Sequence, residues 1–75
     1  MKFKKTLINY VPCHISGLYK CVNYGGHWFA FYKLRLSDPW GNSCYHTTMG
    51  NSERYKTLAE AQQACEKHNN EGGLQ

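Results

Sequence analysis

The sequence predicts an α+β fold, in which a small antiparallel sheet of three to four strands carries one C-terminal helix on one face. Two runs rich in aromatic and β-branched residues flank the turn dipeptide Gly25-Gly26, and a further sheet-forming run follows a turn cluster. The last third of the chain carries an apolar stripe at helical spacing. One helix cannot bury such a stripe alone, so we expect it to cover one sheet face and to leave the other for water or a partner.

The strands are predicted from alternation and from turn residues. Residues 2–10 show a loose alternation of apolar and polar side chains, which predicts a short strand or an extended arm. Pro12 is expected to stop this segment. Residues 18–23 and 27–36 form a β-hairpin around the two glycines, and residues 43–49 form the third strand after a turn cluster.

The helix is predicted to begin with a capping box, in which Thr57 is followed three residues later by Glu60. Its apolar stripe consists of Leu58, Ala61, Ala64, Cys65 and His68. The face that we expect in water carries Glu60, Gln63 and Lys67. We expect the helix to end at His68 or Asn69, with an Asn or Gly just beyond it in the left-handed conformation.

The length of 75 residues and the aromatic content of 15% predict one folded domain. We divide it into an N-terminal strand or arm (1–15), the sheet (16–56), the helix (57–69) and a tail (70–75). No cysteine lies in a known nucleophile signature, no glycine-rich phosphate loop opens a helix, and the acids form no spaced pair. A chain of this size also has too thin a core for a deep substrate cleft. We therefore expect a protein that is not an enzyme and that needs no cofactor.

The formal charge of +4 permits an acidic protein or a nucleic acid as partner, but compels neither. The basic N-terminal segment lacks the apolar core of a signal peptide, and no apolar run is long enough to span a membrane. Four cysteines without such a signal indicate reduced thiols. We expect the cytoplasm of a host cell as the compartment.

Two Cys–His pairs raise the question of a metal site. Cys44 and His46 share one face of a strand, and Cys65 and His68 share one face of a helix. If these faces met, four ligands of the kind that structural zinc prefers would converge. The spacing matches no known zinc finger, and buried thiols with a helix-end histidine explain the same residues. We expect no metal.

The strongest candidate for a working surface is the aromatic strand 27–36. Alternation places Trp28, Ala30, Tyr32, Leu34 and Leu36 toward the helix. The opposite set, Phe29, Phe31, Lys33 and Arg35, is expected on the uncovered face. This set is typical of a patch that binds another protein, including a second copy of the chain, and also of a platform for single-stranded nucleic acid. The two phenylalanines would equally serve as a second small core beneath the N-terminal segment.

The stretch GLYKC, the aromatic hairpin and the helix YKTLAEAQQACEKH resemble a group of small bacteriophage and prophage accessory proteins whose closing helix reads like TLEEAKAACEAH. The matching positions are Gly17, Tyr19, Cys21, Tyr32, Thr57, Leu58, Glu60, Ala61, Ala64, Cys65 and His68. Gln62 stands where the group usually has Lys, and the region 40–51 is longer than in the group. The resemblance implies a phage origin and a β-β-β-α layout. By analogy with such proteins we expect a non-enzymatic inhibitor that occupies a host protein, of the host-takeover or anti-defence type.

Overall fold

The computed structural model describes residues 2–8, 10–41, 44–47 and 54–71, and it has an antiparallel sheet with one C-terminal helix. The elements are β1 (Lys4–Ile8), β2 (Val11–Ser16), β3 (Tyr19–Tyr24), β4 (His27–Lys33), β5 (Cys44–His46), β6 (Arg54–Tyr55) and α1 (Leu58–Asn70). Strands β1 to β5 lie side by side in chain order, and the short β6 also pairs with β4. The predicted α+β class is confirmed.

The sheet has more strands than the three to four that the sequence predicts. The main omission is β2, because Pro12 was expected to stop the first strand. Pro12 instead pairs with Leu7 of β1, and the pairing of β2 with β3 begins only at Cys13. The proline therefore lies where β2 has no second neighbour, and its missing N–H group costs no bond to β3.

The hairpin of β3 and β4 forms around Gly25 and Gly26, whose φ angles of 57° and 82° suit a tight turn that matches the sheet twist. The prediction that β4 continues to residue 36 is wrong, because the strand ends at Lys33. The Lys33 ammonium donates to the carbonyl oxygens of Leu36 at 3.1 Å and Asp38 at 2.7 Å. These bonds hold the following segment in a bend, and they expose Leu34 and Leu36, which were expected to face the helix.

The core lies between α1 and one face of the sheet. Tyr19 and Cys21 of β3 and Ala30 of β4 meet Ala61 and Cys65 of the helix. Half-buried side chains surround them, namely Phe3, Trp28, Tyr32, Tyr55 and Leu58. The helix stripe is confirmed for Ala61, Ala64 and Cys65, which are buried, and the predicted outer face of Glu60, Gln63 and Lys67 is exposed.

The helix begins as predicted. The backbone N–H of Glu60 donates to the hydroxyl oxygen of Thr57 at 3.2 Å, while the Glu60 carboxylate accepts from the backbone N–H of Lys56, also at 3.2 Å. The predicted left-handed stop is not seen at Asn69 or Asn70, which are helical, and the cap residue Glu71 has a φ of −85°. The N–H of Glu71 instead closes a last turn onto the carbonyl of Lys67 at 3.0 Å. Within the described ranges, no helix is long and apolar enough to cross a membrane.

Candidate binding face

The sheet face opposite α1, here called the open face, is built by alternate residues of the first four strands. Cross-strand partners share a face, and the pairs Ile8–Val11, Cys13–Val22, Val22–Phe29 and Lys20–Phe31 place these residues together. Tyr24 and Lys33 follow by alternation along β3 and β4. The loop after β4 brings Trp40 to the same face, since its ring lies 5.0 Å from the Lys20 ammonium.

An aromatic row runs along the open face. The ring centroids of Tyr24 and Phe29 are 6.0 Å apart, and those of Phe29 and Phe31 are 6.5 Å apart in a stacked arrangement. Tyr24 is 52% exposed and both phenylalanines are half-buried. The structure therefore brings together the two aromatic residues that the alternation of β4 assigned to this face.

Lys33 lies on the open face, but the expectation that it is uncovered is wrong. Its side chain is only 8% exposed, and its ammonium is bound by the two carbonyl oxygens of the bend and lies 4.4 Å from the centre of the Trp40 ring. A lysine held in this way stabilises the loop that carries Trp40. Its charge is therefore not free for a phosphate or a partner carboxylate.

Arg35 lies beyond the end of β4, in the bend rather than on the strand. Its side chain is 79% exposed, and its Nε is 3.6 Å from a carboxylate oxygen of Asp38. Exposed ion pairs of this kind contribute little to stability, about 0–1 kcal/mol. Arg35 is thus available to a partner at almost no cost to the fold.

Two residues of the open face, Lys20 and Trp40, were not predicted from the sequence. Lys20 of β3 is 8% exposed, and its ammonium lies 5.3 Å from the centre of the Phe31 ring and 5.0 Å from that of Trp40. The signal for Lys20 was present, because a two-residue turn at Gly25-Gly26 sets the hairpin register and places Lys20 opposite Phe31. Trp40 gave no such signal, since its position depends on the bend that Lys33 organises.

A cavity of about 280 Å³ opens beside these side chains, lined among others by Ile8, Val11, Cys13, Lys20, Phe31 and Trp40. Burial raises the pKa of the Cys13 thiol, and the positive charge of Lys20 partly offsets that rise. The Cys13 thiol donates to the carbonyl of Val11 at 3.3 Å. The cavity thus has apolar and aromatic walls with one buried cation.

Of the four residues considered for zinc, the structure describes the side chains of two, Cys65 and His68. The Sγ atom of Cys65 is 3.7 Å from that of Cys21, and Nδ1 of His68 is 2.8 Å from the hydroxyl of Tyr19. The side chains of Cys44 and His46 lie outside the described residues. In the described part of the chain, no three His, Cys, Asp or Glu side chains cluster as a metal site would require.

Comparisons with protein-family models, with curated proteins and with solved structures find no match to this chain. The open face combines an aromatic row with a cavity, and this chemistry suits the capture of another molecule.

Proposed function

We propose that this chain is a small, phage-encoded, non-enzymatic protein that occupies a host protein in the host cytoplasm through its open face. The observation that carries the proposal is the row of Tyr24, Phe29 and Phe31 on a sheet face that no helix of the described chain covers. The phage origin and the inhibitor role rest on the resemblance of the hairpin and helix to phage accessory proteins.

The physical argument concerns aromatic area that is only partly buried, since Tyr24 is exposed and both phenylalanines are half-buried. Small folded proteins rarely leave contiguous apolar patches in water, and such patches mark interaction sites. Aromatic side chains are enriched at the centre of protein interfaces because they bury a large area with few rotatable bonds. The Phe29–Phe31 stack also presents its rings in a fixed arrangement, so little side-chain entropy remains to be lost on binding.

A nucleic-acid partner is the second candidate, because stacked rings on a sheet can receive bases. One feature disfavours it, since the Lys33 ammonium is already bound by the carbonyl oxygens of Leu36 and Asp38. Affinity that falls steeply with salt would nevertheless favour this candidate, since phosphate contacts release counterions.

A second copy of the chain is the third candidate partner, since a self-complementary face would bury the same aromatic row. Sedimentation of the purified protein over a range of concentrations separates this case from the others. We expect a monomer, because a heterologous host protein is the proposed occupant.

The test is affinity capture from host lysate with matched variants. The double variant Phe31→Ala, Arg35→Ala changes the open face and the adjacent bend, and Gln63→Ala, Lys67→Ala likewise removes one positive charge, but from the exposed side of α1. We expect one host protein to be enriched by the wild type and by the helix variant, and to be lost with the open-face variant. Melting curves must show that all three proteins are folded.

The single charge reversal Arg35→Glu tests the same surface if the double variant does not fold. A side chain that is 79% exposed contributes little to the fold, so this variant should remain folded. We expect Arg35→Glu to weaken capture as well. Equal capture by every variant would refute the assignment of the open face, and loss of capture only with the helix variant would move the binding surface to α1.

A further inference from the structure

The open face holds two lysines that are buried to the same degree but whose ammonium groups have very different partners. Lys20 and Lys33 are each 8% exposed. The Lys33 ammonium donates to two carbonyl oxygens within 3.1 Å. Within the described chain, the Lys20 ammonium lies over the faces of two rings, Phe31 and Trp40, and its charge also acts on the Cys13 thiol.

This difference matters because an ammonium carries three N–H donors. A buried charge without an anion or hydrogen-bond acceptors is unfavourable, and protein structures normally pair it. Cation–π contacts attract the charge, but they accept no ordinary hydrogen bond. For the Lys20 ammonium the described residues supply two aromatic rings and no anion, and the cavity that Lys20 lines gives a carboxylate access to it.

The cavity beside Lys20 shows where such a partner would enter. Its volume of about 280 Å³ lies just below that of sites that hold free small molecules, which span about 300–1,000 Å³. Its walls include Ile8, Val11 and Trp40, so an occupant must combine an apolar stem with one acidic group. The exposed Tyr24 ring also lines it and connects it to the aromatic row.

We propose that this cavity receives the carboxylate of a Glu or Asp side chain from the partner protein, with Lys20 as its counter-ion. The proposal rests on the proposed function, and it names the chemistry of the partner at one position. The net charge of +4 favours an acidic surface as the approaching partner. A side chain suits the small cavity better than a free ligand, because the surrounding interface supplies the remaining binding energy.

The probe is a pair of capped dipeptides, N-acetyl-Leu-Glu-amide and its neutral isostere N-acetyl-Leu-Gln-amide, titrated into the ¹⁵N-labelled full chain. The two tryptophans give an internal control, because Trp40 lines the cavity and Trp28 packs on the helix side of the sheet. We expect the indole N–H signal of Trp40 to shift with the Glu probe while that of Trp28 stays in place. The Gln probe should bind about tenfold more weakly, as expected for loss of a charge-assisted hydrogen bond.

Lys20→Met removes the charge and keeps an unbranched apolar side chain. It should reduce the affinity for the Glu probe to that for the Gln probe. Lys5→Met makes the same change in net charge on the exposed β1 strand, on the face that pairs with His14 rather than on the open face, and should leave both affinities unchanged. An unshifted Trp28 signal in Lys20→Met shows that the core is intact.

Equal shifts of the Trp40 signal by both probes, or no shift with either, would overturn the proposal on the wild type alone, whether or not Lys20→Met folds. A preference for the Glu probe that survives Lys20→Met would overturn the role of Lys20. Host capture that depends on Phe31 and Arg35 without any preference for the Glu probe would leave the proposed function standing and remove only this inference.

Discussion

The sulfur atoms of Cys21 and Cys65 lie 3.7 Å apart, with both side chains fully buried where β3 meets α1. Their hydrogen bond and the surrounding burial raise the pKa of the Cys65 thiol well above its ordinary value. Cys65 therefore stays a neutral thiol, and both sulfurs are buried members of the core.

The first prediction concerns thiol reactivity. Because the thiolate is the nucleophile, Cys21 and Cys65 should resist iodoacetamide in the native protein and react fully once it is unfolded. Cys13, which lines the open-face cavity, should react earlier than either of them. Peptide mapping by mass spectrometry after timed labelling measures each residue separately. Native labelling of Cys65 at its unfolded rate would contradict the assigned core.

The second prediction concerns stability at alkaline pH. Burial raises the pKa of Tyr19, of Tyr55 and of Cys13, and the Cys21 hydrogen bond with burial raises that of Cys65. The unfolded chain therefore loses these protons first, from the ordinary values of 9.0 for Cys and 10.0 for Tyr upward. Wherever the folded state binds more protons, the free energy of unfolding decreases with rising pH, by about 1.4 kcal/mol per pH unit for each proton.

Urea denaturation at a series of pH values measures this dependence. These four groups should leave the free energy of unfolding unchanged well below 9.0 and lower it steadily above that pH. Cys65→Ala should make the decrease shallower. A free energy of unfolding that stays constant or increases with pH in the alkaline range would show that these side chains are not buried as described.

The third prediction concerns the helix face. Leu58 packs against the core from the first turn of α1, so Leu58→Ala should reduce the free energy of unfolding by about 2 kcal/mol. Leu36→Ala makes the same chemical change at a side chain that is 72% exposed, and it should cost less than about 0.5 kcal/mol. Chemical denaturation of the two variants side by side is the measurement. Similar midpoints for both would mean that α1 packs through a different face.

The fourth prediction concerns metal. Sγ of Cys65 is engaged by Cys21 and Nδ1 of His68 by Tyr19, so these two ligand atoms already have partners. We expect no zinc in the purified protein and no change of melting temperature on addition of EDTA. Stoichiometric zinc, with unfolding after chelation, would contradict this expectation.

Local signals made part of the fold predictable. The capping box at Thr57 and Glu60 and the stripe that includes Ala61 and Cys65 are complete within the helix itself, and its start was predicted correctly. The glycine pair likewise located the hairpin. The strand β2 was missed because the effect of Pro12 depends on which neighbours the strand has, and that is a property of the assembled sheet.

In the candidate site, too, some features follow from local sequence and others depend on the assembled fold. Phe29 and Phe31 follow from strand alternation, and Lys20 would follow from the hairpin register. The burial of Lys33 does not follow from local pattern, because it depends on loop carbonyls and on Trp40, which the bend brings back over the sheet. Strand alternation predicts on which face of the sheet a side chain lies. Its exposure depends on which other parts of the chain pack on that face.

The chain-order arrangement of β1 to β5 has a kinetic consequence. Each of these strands pairs with the next, so the meander requires mainly short loop closures, which are fast. The helix reaches the sheet through partners 44 and 49 residues apart, Cys21 with Cys65 and Tyr19 with His68. We therefore expect docking of α1 to be the late step of folding, so that substitutions at Cys65 accelerate unfolding and leave the refolding rate nearly unchanged. On this expectation the lifetime of the native state depends on the contact of the small helix residues Ala61 and Cys65 with the sheet, while the sheet sets how quickly that state is reached.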